Sequence, residues 1–170
     1  DHFGDIWLDD TKSTKKVKGF GTKFFWAQVL MGDTADNIQG LPECPGSIWQ
    51  TFAGTKAHDD LVKQWVACDD PKESEKLSKR IEQHRSKTKK CGPALAYALL
   101  KDAKTDKECF DLVRQCFIKL NTEHGYEFKH WNTGKVYTPT QVLLSEMKLL
   151  WMRRTKDEND VLNWIKEKAK

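Results

Sequence analysis

Two aspartates spaced three residues apart, Asp33 and Asp36, directly follow Gly32 and precede Asn37. If both occupy one helical turn, their carboxylates project from the same face. A hard divalent cation, Mg²⁺ or Mn²⁺, can then bridge them. In phosphodiester hydrolysis such an ion orients the attacking water, lowers its pKa and neutralises charge on the scissile phosphate. Aspartate and asparagine are also ordinary residues of turns and helix starts, so the pair taken alone reads as structure. The residues that follow, Ile38, Gln39, Gly40, Leu41 and Pro42, shift that balance. Glycine presents no side chain, and the amides and carbonyls beside it can meet a nucleic-acid backbone at close range.

Charge around this segment points the same way. The 170-residue chain carries a net charge of +4 with 32% charged residues, so the distribution matters more than the average. Lys12, Lys15, Lys16, Lys18 and Lys23 precede the segment; Lys72, Lys76, Lys79, Arg80, Arg85, Lys87, Lys89 and Lys90 follow it. Either cluster alone reads equally as a solvated face, but clusters flanking a glycine-rich turn point to a phosphate-binding surface. The remaining reactive residues say less. Cys44, Cys68, Cys91, Cys109 and Cys116 are odd in number and lack C-x-x-C spacing, which favours reduced thiols over a disulfide framework or a zinc ribbon. Ligands drawn from Cys44, His58, Cys68 and Cys91 would be spaced too loosely for an ordinary zinc site. Trp26, Trp65, Trp151 and Trp164 fall on apolar faces and read as core, Trp131 sits in a turn, and His58, His84 and His124 read as surface residues.

The string from Gly32 through Pro42 resembles the G-D-x-x-D-N-I-x-G-x-x-G-x-G-x-K-x-A signature of the 5′→3′ exonuclease and flap endonuclease family. Cys91-Gly92-Pro93-Ala94-Leu95-Ala96 is similar to the helix-entering end of that signature. The resemblance implies a helix-three-turn-helix, with Asp33 and Asp36 as ligands of the second of two Mg²⁺ or Mn²⁺ ions. It implies that Gly40, Leu41 and Gly92 belong to a hairpin gripping the backbone of duplex DNA, with a monovalent cation, often K⁺, on hairpin carbonyls. The signature lysine is absent, Leu95 standing near its place, so Lys89 and Lys90 are the candidates for that phosphate contact, joined by Lys16 and Lys18.

Two further departures limit the resemblance. Residues 43–90 interrupt the hairpin, and Pro45-Gly46-Ser47-Ile48 is a rival continuation that would make residues 47–52 the second helix. The family's other carboxylates belong to an N-terminal α/β half that would precede Asp1; Asp5, Asp9 and Asp10 do not match its motifs and read as turn or surface residues. The resemblance therefore implies the DNA-binding C-terminal part of a phage-type 5′→3′ exonuclease, with an incomplete two-metal site and no catalytic residue of its own, in a bacterial or phage-infected cytosol. A non-catalytic helical DNA-binding or replication-accessory protein is the alternative.

The elements that must position these residues are mostly helices. The length and 38% hydrophobic content suit one domain hiding roughly 70% of its unfolded surface, and no apolar run of about 18 residues or signal peptide places the chain in a membrane. The expected fold class is mainly α, a helical domain spanning 1–170 with a short strand or hairpin. Within it the helix-three-turn-helix covers about 22–46 with 91–102, a charged insertion about 47–90, and a helical C-terminal part 103–170. Residues 5–8 read as a strand end and 9–21 as a loop. A helix capped by Thr22 runs to Gly32, and a helical turn is expected over 34–38. Short helices are expected over 47–52 and 59–67, then an exposed one from Pro71 whose contact stripe is Leu77 and Ile81. Pro93 opens a helix to about residue 102, and 106–122 is a further helix stopped by Gly125. Residues 127–137 suit a short hairpin. Thr138-Pro139-Thr140-Gln141 carries a capping-box pattern before Leu143, Leu144, Met147, Leu150 and Trp151, and a last amphipathic helix starts near Glu158.

Overall fold

Ile6 and Val17 are the inward residues of two short alternating segments, and burying them fixes a β-hairpin at the start of the chain. Strand β1 (Asp5–Asp9) pairs antiparallel with β2 (Lys16–Phe20), with Ile6 opposite Gly19, Trp7 opposite Lys18 and Leu8 opposite Val17. The expectation of loop across residues 9–21 is thus corrected over 16–20. The strand is masked in sequence because one buried valine is its only large inward residue, set among lysines and a glycine. The computed structural model describes residues 2–10, 14–53, 56–130, 132–151, 156 and 159–168. Lys12, Trp131 and the expected helix start at Glu158 lie outside the described residues.

Helix α1 (Gly21–Met31) follows directly. Thr22 is not its cap. Phe20 holds the N-cap position without a side-chain bond, while the Thr22 and Lys23 amides donate to the carbonyls of His2 and Phe3 at 3.0 and 2.8 Å. The Thr22 hydroxyl is left buried without a partner. Seven of the eleven residues of α1 are buried, which makes it the central helix of its unit. Phe25 and Trp26 sit with Trp151 and Trp164 in an aromatic cluster whose ring centroids lie 4.6–6.1 Å apart. The buried Trp26 indole donates to Asp106 Oδ1 at 2.9 Å, so the polar tip of this large residue is satisfied inside the core.

Around α1 pack α5 (Pro93–Leu100), α6 (Asp106–Thr122) and α7 (Pro139–Leu150). The α7 start is the expected capping box: the Gln141 amide donates to Thr138 Oγ1 at 3.2 Å and the Thr138 amide to Gln141 Oε1 at 2.9 Å. Strands β5 (Phe128–Lys129) and β6 (Val136–Tyr137) form the expected hairpin between α6 and α7, and α8 (Asp160–Lys168) closes the chain.

Residues 42–90 form a compact unit separate from Asp1–Leu41 with Cys91–Lys170. Its ends are joined by an antiparallel ladder of β3 (Cys44–Pro45) and β4 (Thr88–Lys89), with Cys44 opposite Lys89. Between them run α2 (Gly46–Ala53), α3 (Lys56–Val66) and α4 (Pro71–Ser86). Asp70 caps α4 by accepting from the Lys72 amide at 3.0 Å, with Pro71 in the first turn. Trp49 and Leu77 are buried in this unit, and the Trp49 indole donates to the Lys89 carbonyl at 2.8 Å. The described chain is mainly helical, and no helix among the described residues is long and apolar enough to cross a membrane.

Candidate nucleic-acid interface

The turn after α1 is closed by backbone against backbone. Gly32 and Gly40 both have positive φ, +72° and +67°, which glycine adopts without cost. A Cβ on Gly40 would strike the Gly32 nitrogen and come within 2.6 and 2.8 Å of the Met31 carbonyl carbon and Leu30 oxygen. One on Gly32 would strike the Ile38 oxygen. Two hydrogen bonds between Asp33 and Ile38, at 2.9 and 2.7 Å, and one from the Leu41 amide to the Leu30 carbonyl at 3.0 Å tie the stem. Ile38 and Leu41 anchor it in the core, leaving residues 34–37 as an exposed tip.

This geometry corrects the expected helical turn over 34–38. The segment is a tight turn on a bridge, with Asn37 at φ +56°, so Asp33 and Asp36 do not share a helical face. Asp33 Oδ1 accepts the Ala35 amide at 2.9 Å, the bond by which aspartate ordinarily builds a turn. Asp36 is exposed at the tip. Among the described residues no group of three or more His, Cys, Asp or Glu side chains could hold a metal ion. The donor chemistry of the pair suits a hard cation, but two carboxylates supply only part of the oxygen set that Mg²⁺ or Mn²⁺ takes.

Gly40 and Leu41 are withdrawn from the surface, main chain included: Gly40 is buried, Leu41 is 1% exposed, and the Leu41 amide is already bonded to the Leu30 carbonyl. The Gly40 amide donates to Glu146 Oε2 on α7 at 3.2 Å. Burial raises the Glu146 carboxyl above its ordinary pKa, against the opposing pull of that amide. Glu146 is a residue the sequence does not reveal, because its partner lies 106 positions away.

Gly92 sits at the N-cap of α5 in extended conformation, without a side-chain cap, and nothing lies within 4 Å of the place a Cβ would take. Pro93 and exposed Ala94 follow. An open helix start of this kind presents unpaired amides and the positive end of the helix dipole, both favourable to a phosphate. Because α5 packs on α1, the helix preceding the glycine turn and the helix opened by Gly92 belong to one unit.

The lysines divide. Lys16 and Lys18 lie on the outer face of β2, and Lys18 pairs with Asp9 at 2.6 Å. Lys15 lies 3.9 Å from Asp10, both exposed. Exposed pairs of this kind are weak, about 0–1 kcal/mol, and a phosphate can replace the carboxylate. Lys23 is withdrawn from any interface. It is 2% exposed, donates to the Lys101 carbonyl at 3.0 Å and pairs with Asp5 at 3.4 Å. The Ile6 amide and then Lys23 hold the Asp5 carboxyl below its usual range. Lys89 and Lys90 belong to the other unit. Lys89 is half-buried with Nζ 3.1 Å from His84 Nε2, and burial with Lys87 lowers its pKa, whereas Lys90 is exposed.

The other side chains with reactive groups are buried or scattered. Cys44, Cys91, Cys109 and Cys116 are buried and outside any disulfide, and burial pushes Cys44 up to about 11 and Cys109 and Cys116 to about 12. Such thiols are poor nucleophiles and ligands. Trp26, Trp151 and Trp164 are core as expected, whereas Trp65 is 43% exposed and is corrected to a surface residue. Against known proteins, the chain matches no family, no curated protein and no solved structure.

Proposed function

We propose that the unit formed by Asp1–Leu41 and Cys91–Lys170 binds the phosphate backbone of duplex DNA without sequence preference, as the C-terminal part of a metal-dependent 5′→3′ exonuclease of the phage type. One observation carries this reading: the turn closed by Gly32 and Gly40 and the open Gly92 start of α5 lie in one unit, on helices packed against each other. The signature to which residues 32–42 and 91–96 are similar needs that pairing. It also needs the intervening residues 43–90 to be an excursion, and the separate unit closed by β3 and β4 supports that continuation over the rival one through Gly46. On this reading the Gly92 and Ala94 amides meet a phosphate, Lys16 and Lys18 add charge beside it, and the carbonyls of the glycine turn suit a monovalent cation such as K⁺.

Asp33 and Asp36 would hold a Mg²⁺ or Mn²⁺ ion through the carboxylate oxygens not used within the turn. Such an ion supplies Lewis-acid activation of water and charge neutralisation at the phosphate. The remaining ligands would come from a nuclease half outside these residues. That Asp33 and Asp36 sit on a tight turn and not on one helical face also favours the second reading, a DNA-binding accessory protein that cuts nothing. Titration with Mg²⁺ or Mn²⁺ separates the two. Binding lost in the Asp33→Ala, Asp36→Ala double variant supports the nuclease part; binding unchanged by it removes the metal role.

Duplex binding itself is tested by its salt dependence. Log affinity should fall against log salt with a slope of about 0.9 per phosphate contacted. Gly92→Val should weaken binding while leaving the fold intact, since its backbone is extended and the space around it is open. A flat salt response overturns the proposal.

A further inference from the structure

The inserted unit carries a cleft of its own. Helices α3 and α4 pack side by side after a four-residue connection, residues 67–70, which sets them antiparallel. His58, Val62 and Trp65 recur along one face of α3, and Ile81, Glu82 and Arg85 along one face of α4. With Ser78, these six line an open cleft of about 410 Å³. That volume is within the range of small-ligand sites, about 300–1,000 Å³.

The lining is chemically mixed in a specific way. Val62 and Ile81 give apolar walls, Trp65 an indole that stays 43% exposed, Glu82 a carboxylate and Arg85 a guanidinium. His58 Nδ1 is buried without a hydrogen-bond partner, and its ring lies 5.6 Å from that of His84. Burial, then Lys89 and His58, depress the His84 pKa below its ordinary value. Beside the cleft the chain is strongly cationic. Of the seven lysines and arginines from Lys76 to Lys90, Lys76 and Lys79 pair with Glu73 and Glu75, which leaves Arg80, Arg85, Lys87, Lys89 and Lys90 against Glu82.

We propose that the α3–α4 cleft binds a nucleotide, with the nucleobase stacked on Trp65, its N–H edge bonded to Glu82 and its phosphate held by Arg85. Aromatic faces accept any base by stacking, and a guanidinium attracts the phosphate. The cleft thus combines the base-binding and phosphate-binding halves of single-strand recognition. An acidic peptide would use the cations but would leave the indole idle. All of these residues lie within Pro42–Lys90, so the inference is independent of the duplex-binding proposal.

The same chemistry is presented by a free nucleoside monophosphate and by a nucleotide within a single strand. The whole chain is titrated with dGMP and, separately, with a ten-nucleotide single-stranded DNA labelled at its 3′ end. Affinity is read by anisotropy for the strand, and the Trp65 indole N–H signal by NMR for both. A shift with dGMP identifies the free nucleotide as a ligand, and a shift with the strand alone identifies the strand. Trp65→Ala, at a solvent-facing position, should weaken binding by roughly 5- to 100-fold, with Trp65→Phe retaining most of it. Arg85→Gln should lower the salt slope for the strand by about 0.7, one phosphate's worth. The proposal is overturned if neither probe moves the Trp65 signal, or if Trp65→Ala binds both as tightly as the unaltered chain. Duplex binding through the other unit should be the same in every one of these variants, so the two proposals fail separately.

Discussion

Replacing Gly40 with alanine perturbs a place where the turn after α1 is held by direct backbone contact. At φ +67° an alanine adopts the left-handed conformation at a cost of about 1–2 kcal/mol. The added methyl would also strike the Gly32 nitrogen and lie 2.6 Å from the Met31 carbonyl carbon and 2.8 Å from the Leu30 oxygen. All three are main-chain atoms, so no side-chain rotation relieves them and the stem must open, which we set at the cost of an overpacked core, about 1–3 kcal/mol. The sum is about 2–5 kcal/mol. Gly134 supplies the control. Its φ is +66°, but nothing lies within 4 Å of its Cβ position, so Gly134→Ala meets only the conformational cost. Both variants are unfolded in urea, followed by the near-ultraviolet circular dichroism of the cluster of Trp26, Trp151 and Trp164. Gly40→Ala should be the less stable by about 1–3 kcal/mol. If the two variants agree within about 0.5 kcal/mol, the spread expected of substitutions that meet no steric conflict, glycine-on-glycine closure is not what holds the turn.

Other perturbations read other parts of the same unit. Glu146 has a folded pKa raised by burial, so the stability it contributes is fully present below its unfolded pKa and is lost as pH rises through the raised value. Glu146→Gln keeps an acceptor for the Gly40 amide without the charge; its urea midpoint should equal that of the unaltered chain near pH 3 and match or exceed it near pH 7, and a lower midpoint at pH 7 contradicts the assignment. Asp106→Ala leaves the buried Trp26 indole N–H without its 2.9 Å acceptor and should cost about 1–3 kcal/mol in the same urea assay. Asp106→Asn, which keeps an acceptor, should lose less.

What the sequence disclosed and what it concealed follow from the range of the interactions involved. The α7 capping box is a contact between Thr138 and Gln141, complete within four residues, and it is legible for that reason. Helix α6 and the hairpin of β5 and β6 are equally local patterns. Lys23 looks like part of a basic patch, and the Lys101 carbonyl and the Asp5 carboxylate, brought to it by folding, explain why a lysine is buried there. Glu146 is invisible for the same reason. Trp65 misleads in the opposite direction. It shares an apolar helical face with Leu61, Val62 and Val66, which reads as core, but a unit as small as Pro42–Lys90 has too little interior to cover it. The aspartates of the turn show the limit of motif reading: Asp33 and Asp36 have the spacing of a helical pair, yet Asn37 in the left-handed region and the bridge from Asp33 to Ile38 put them on a turn.

The pairing of Cys44 with Lys89 and Pro45 with Thr88 brings the two ends of a long detour to neighbouring positions on adjacent strands. A segment pinned in this way behaves as a replaceable cassette. Changes in its length or internal sequence are absorbed above the clamp and do not alter the spacing that the flanking chain must meet, which is the condition under which insertions are tolerated. Descendants of this chain could therefore enlarge, trim or exchange the cassette while α1 and α5 kept their packing, giving it freedom to acquire binding preferences of its own.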